Sequence, residues 1–139
     1  MKISILAALI LMFTATYCNK EEGKPLDSGL YNTWEAKGFM SIESVAYPKN
    51  ENSKILLTFS KSGTYNLKLD INSCGDNFTI GQNNQLKVES PACTEACCDS
   101  KFSEKLAAML PKITSFEIEG KILKLNVPQW GYIECRLIE

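Results

Sequence analysis

Tyr65-Asn66-Leu67-Lys68-Leu69-Asp70-Ile71-Asn72 alternates apolar and polar residues over eight positions. Successive side chains of a strand point to opposite faces, so the run sets Tyr65, Leu67, Leu69 and Ile71 on one side and Asn66, Lys68, Asp70 and Asn72 on the other. It predicts an antiparallel strand with one dry and one wet face. Upstream, Ile55 to Phe59 reads as a shorter apolar strand, joined through the turn Lys61-Ser62-Gly63-Thr64. Downstream, Phe78 and Ile80 pair with Leu86 and Val88 across Gly81-Gln82-Asn83-Asn84. Phe116 and Ile118 are followed by Ile122, Leu123, Leu125 and Val127, with Gly120 supplying a positive φ in the turn Glu119-Gly120-Lys121. Ile133, Cys135 and Leu137 alternate in a last strand. Trp34 and the stretch from Phe39 to Val45 suggest one or two more at the start, ahead of a polar loop from Tyr47 to Lys54.

One segment leaves this period. Asp99 or Ser100 can accept hydrogen bonds from the first free amides of a helix, after which Phe102, Leu106, Met109 and Leu110 fall on a single face and Pro111 stops the run. A helix of about ten residues is marginal alone, so it must be held by packing that face on a sheet. The expected fold class is α+β, mainly β: a curled, open-barrel-like antiparallel sheet of about seven to nine strands with one helix packed across it.

The chain has 139 residues, 15 basic and 16 acidic, and no histidine. Nearly balanced charge argues against a general nucleic-acid binder, which would concentrate positive charge against phosphates. Lack of histidine removes the commonest general base and metal ligand at neutral pH. No carboxylate pair lies in a recognisable motif and no Gly-rich phosphate loop occurs, so no catalytic residue, metal or other cofactor is assigned. Asp70-x-Asn72-x-Cys74 superficially resembles a calcium loop, but Gly81 stands where the bidentate carboxylate belongs.

Residues 1–17 have one positive charge at Lys2, an apolar run from Ile3 to Phe13 and then small and polar residues, the layout of a bacterial secretory signal. The run is too short for a membrane span, which needs about 20 residues. Cys18 directly after it resembles a lipobox cysteine, which would anchor the mature protein to a membrane. Tyr17 departs from the usual small residue, and cleavage by the ordinary signal peptidase, with Cys18 joining a disulfide, is the alternative. Residues 18–29 read as lipid attachment and flexible tether, and residues 30–139 as the domain. Lys20-Glu21-Glu22 resembles the charged signals of surface-directed lipoproteins and equally fits a solvated linker. The expected location is the cell envelope, at the outer membrane.

Cys74, Cys93, Cys97, Cys98 and Cys135 would then lie in an oxidising compartment, where thiols pair unless protected. Five is odd, so at least one is free, intermolecular or bonded to Cys18. A bond from Cys74 to the Cys97-Cys98 pair would tie the long strand's end to the start of the helix, and adjacent cysteines are expected to take different partners. The sharper alternative is a thiolate cluster of Cys74, Cys93, Cys97 and Cys98 for a soft metal, or a thiol-redox site ahead of the helix. Trp130 and Tyr132 lie at a predicted hairpin turn, Pro128-Gln129-Trp130-Gly131-Tyr132. Exposed, they form an interaction surface; otherwise Trp130 folds over the core.

Trp34, Asn72-Ser73-Cys74-Gly75, Thr94 to Cys98, Phe102 with Leu106, and Leu123-x-Leu125 follow one another in an order that resembles the META domain, the family that includes the HslJ-like bacterial lipoproteins. The resemblance covers about residues 30–138. It implies a small β-rich envelope domain linked to stress tolerance rather than to a known reaction. Together with the anchor, it implies a non-enzymatic envelope protein that acts in binding or maintenance. The partner expected is the membrane, through the lipid anchor; a sheet curled into a cup would also permit a small apolar ligand, and the sequence names neither a ligand nor a protein partner.

Overall fold

The computed structural model describes residues 29–138; the signal segment, Cys18 and nearly all of the tether lie outside them. The strands are β1 (Thr33–Ser41), β2 (Leu56–Phe59), β3 (Thr64–Lys68), β4 (Ser73–Ile80), β5 (Leu86–Val88), β6 (Ala92–Cys93), β7 (Ser115–Glu119), β8 (Ile122–Val127) and β9 (Gly131–Leu137), and α1 spans Lys101–Met109. All pair antiparallel, in the order β5-β4-β3-β2-β1-β9-β8-β7, with β6 also on β4. The two ends of that order meet where Leu86 N donates to Thr114 O at 3.0 Å and Gln85 bridges Ser115, so the sheet is nearly closed into a barrel.

The opening alternation is realised only in part. Tyr65 and Leu67 of β3 face the core, with Thr64, Asn66 and Lys68 outside. Leu69 is still buried, but the strand has ended, because Leu69 N donates to Asn72 O at 2.9 Å and closes a tight turn. Ile71 is consequently exposed and Asn72 buried, the reverse of the period-two expectation. The chain re-forms at once as β4, which begins at Ser73 and runs through Cys74 and Gly75. Gly120 takes its turn at φ +60° as expected. In the Gly81–Asn84 connection, Asn83 and Asn84 take the left-handed conformation instead of the glycine.

The inward faces of the strands and one face of α1 form a single hydrophobic core. Trp34, Phe59, Leu67, Phe116, Leu123 and Leu125 fill it from the strands, and α1 adds Phe102, Leu106 and Met109. Each fully buried side chain of this size contributes about 1.5–3 kcal/mol. Curling the sheet brings these inward side chains together in one core. Ser100 caps α1 by accepting from Ser103 N at 3.2 Å. The helix passes into a 3₁₀ turn, Leu110–Lys112, so Pro111 does not stop it at once. Proline is tolerated there because an amide in the first turn of a helix needs no partner.

Candidate functional site

Asp70 and Asn72, on the turn after β3, hold the cysteine segment and the start of α1. The Asp70 carboxylate accepts from Ser100 N at 3.2 Å, Ser100 Oγ at 2.5 Å, Ser103 Oγ at 2.6 Å and the Ser53 hydroxyl. Burial pushes its pKa upward, but the hydroxyls of Ser100, Ser103 and Ser53 and the Ser100 amide outweigh that and hold it well below the usual carboxylate range. Asn72 uses its whole side-chain capacity: Nδ2 donates to Ala96 O and Asp99 Oδ2, both at 2.7 Å, and Oδ1 accepts from Thr94 Oγ1 and Ala96 N, both at 2.8 Å. Asp99 Oδ1 in turn accepts from Ile71 N at 2.8 Å and Asn72 N at 3.3 Å. Thus Asn72 grips the chain on both sides of Cys97-Cys98.

The cysteines pair differently from the expectation. Cys74 is bonded to Cys93, its direct partner across β4 and β6, with Cα atoms 4.0 Å apart. Cys97 and Cys98 are bonded to each other. The sequence hides β6, two residues that set Cys93 opposite Cys74 and leave the adjacent pair to itself. Cys98 adopts φ +92° inside the loop that Asn72 holds. Cys74 is buried, whereas Cys93, Cys97 and Cys98 are exposed. Cys135 is the odd one: it is free on β9, fully buried, and desolvation with the nearby Glu134 charge pushes its thiol up to about 12. All four sulfurs of the expected metal cluster are therefore used in disulfides. Among the described residues no group of three or more Cys, Asp or Glu side chains is placed to hold a metal ion.

A second cluster closes the other end of β1. Trp130 is only 9% exposed and meets Phe39 edge-on at 5.8 Å; Phe39 stacks on Phe102 at 4.6 Å and meets Tyr47 edge-on at 5.9 Å. The Lys105 ammonium lies 5.0 Å from the Tyr47 ring and 5.3 Å from the Trp130 ring, and binds Glu43 at 2.8 and 3.0 Å. Lys105 first, and the Trp130 indole second, hold the Glu43 carboxyl below its usual range. The indole Nε1 itself is buried without a well-formed hydrogen bond. Trp130 therefore folds over the core. Tyr132 is half-buried, with Lys124 5.8 Å from its ring centre, so the two do not form one exposed aromatic patch.

Between the end of β1 and the loop that follows is an open cleft of about 460 Å³, lined by Phe39, Glu43, Val45, Tyr47 and Lys49 among others. Met40, Ile42 and Val45 are exposed beside it, since β1 ends at Ser41 and the strand expected to reach Val45 does not. Lys105, Glu43 and Tyr47 carried no sequence signal, because Lys105 and Glu43 meet across 62 positions. Asp70 and Asn72 were visible as the polar half of a strand, in the calcium-loop spacing and, for Asn72, in the family motif, none of which signals the bonds they make.

The META domain profile matches residues 28–130, three-quarters of the chain. The chain belongs to the META domain family. Solved structures with the same fold as this META domain include a DUF4847 family protein from Bacteroides vulgatus, at 13% identity and TM-score 0.57, covering 77% of this chain and 92% of that one. A protein from Burkholderia xenovorans aligns at 13% identity and TM-score 0.60, covering 78% and 82%. No curated protein matches the chain. At such identities the solved structures speak for the META fold and not for an activity.

Proposed function

We propose that this META domain is exported, anchored by lipid on Cys18, and serves as a non-enzymatic binding or maintenance module of the cell envelope at the outer membrane. The observation that carries the reading is the Cys74–Cys93 bond within the sheet, since such bonds form and persist in oxidising compartments. Its chain-entropy contribution, for a separation of 19 residues, is about 3 kcal/mol. The carboxylates support a non-enzymatic role, because Asp70, Asp99 and Glu43 are each committed to contacts that hold loops in place. The cleft beside β1 has a volume within the range of small-ligand sites, roughly 300–1,000 Å³, and is where binding would be sought.

The test is the mass and membrane partition of the mature protein from a bacterial host. The expected product begins at a diacylated Cys18 and pellets with the outer membrane, and Cys18→Ser moves it to the soluble fraction. An unacylated mature protein that is soluble before the substitution would overturn the anchor. Recovery of the wild type in the cytosol with Cys74 and Cys93 reduced would overturn export.

A further inference from the structure

A disulfide that stabilises a fold does so by closing a long loop of the unfolded chain, and the length-dependent part of that effect vanishes for adjacent residues. The Cys97–Cys98 bond, with a sequence separation of 1, cannot be a staple of the Cys74–Cys93 kind. It also joins no two elements, because both sulfurs belong to one loop. What the fold does provide is a holder: Ala96 on one side binds Asn72 through both its amide and its carbonyl, and Asp99 on the other side accepts from the Asn72 side chain and from two backbone amides. Asn72 is itself buried, so this grip stands whether or not the sulfurs are bonded. The two cysteines at the tip are both exposed, while the other bond is shielded through Cys74 and the free thiol among the described residues, Cys135, is fully buried.

We infer that Cys97 and Cys98 form a surface redox couple that exchanges two electrons with a dithiol partner. A thiolate of the dithiol attacks one of the two sulfurs, making a mixed disulfide and releasing the other cysteine as a thiolate, which takes up a proton. The second thiol of the partner then attacks the mixed disulfide, so that the partner leaves oxidised and the second cysteine is protonated. Two electrons and two protons pass to the domain, and the reverse sequence returns them. Because residues 96 and 99 are held independently of the bond, the change is confined to the tip, and the barrel and α1 persist in both states.

The experiment treats the full-length, air-oxidised protein with dithiothreitol under native conditions, quenches by alkylation and assigns the labels by peptide mass. Cys97 and Cys98 are expected to open together, on the order of 100-fold faster than Cys74–Cys93, which must first be uncovered. The opened protein is expected to bind one phenylarsine oxide per chain, as a close dithiol does, and to reclose with glutathione disulfide while its far-ultraviolet circular dichroism stays constant. The Cys97→Ser/Cys98→Ser variant should lose the arsenical binding and keep the Cys74–Cys93 bond. Equal opening rates for the two bonds, failure of glutathione disulfide to re-form the adjacent bond, or arsenical binding that survives the double substitution would each overturn the proposal. None of these readouts depends on the lipid anchor or on export.

Discussion

Replacing Asp70 by Ala removes the acceptor shared by Ser53, Ser100 and Ser103. The largest loss is at Ser103, which is fully buried, so its hydroxyl is left without a partner where water does not reach; such a group costs about 1–3 kcal/mol. Ser100 loses the contact that orients it as the α1 cap, and a lost cap costs about 1 kcal/mol. Water can replace the carboxylate at Ser53. The sum is about 2–4 kcal/mol. For about 110 described residues, an unfolding entropy of about 2.1 cal/mol/K per residue converts this to a fall in Tm of roughly 9–17 °C. Thermal melts at neutral pH, followed by circular dichroism, measure it. Ser103→Ala on the Asp70→Ala background should cost nothing further and recover part of the loss, since it removes the hydroxyl left without a partner. A fall below about 3 °C, or strictly additive effects, would show that Asp70 does not organise the start of α1.

Acid should expose the same group. The folded pKa of Asp70 lies below its ordinary value of 3.8, so its contribution is complete above that value and is lost as pH falls below it. Urea midpoints measured from about pH 5 to about pH 2 should fall more steeply for the wild type than for Asp70→Ala, and parallel profiles would contradict this. Trp130→Ala should cost about 3 kcal/mol or more by opening the cluster with Phe39; an unchanged melting temperature would mean that the ring stands free. Gly131→Ala should prevent soluble folding, because at φ +139° an added Cβ would sit against the Met40 carbonyl and break the β1–β9 pairing. Gly120→Ala, at φ +60° with open space around it, should cost only about 1 kcal/mol, and equal damage from the two would refute the steric argument.

The barrel was legible wherever one face of a strand is dry. Phe116 to Val127 and Ile133 to Leu137 alternate in sequence and pack as they alternate. The helix was legible through the spacing of Phe102 and Leu106 and through the Ser100 cap. Reading failed where side-chain hydrogen bonding overrides period two. Asp70 and Asn72 look like the wet face of a long strand, yet their bonds to residues far along the chain end that strand and bury Asn72. The cysteine pairing failed for a related reason: β6 is only two residues long and has no periodicity to detect, yet it decides that Cys93, and not Cys97 or Cys98, faces Cys74. The ion pair of Lys105 with Glu43 depends on how a loop folds back, which no local pattern encodes.

The division of labour among the cysteines is the centre of this account: one bond that braces the sheet, one at the surface that can exchange, and one thiol sealed in the core. A peptide map of the non-reduced, natively oxidised protein tests it most directly. It should recover Cys74 linked to Cys93, Cys97 linked to Cys98 within a single peptide, and Cys135 alkylated only after unfolding. Recovery of Cys74 linked to Cys97 or Cys98 would contradict it.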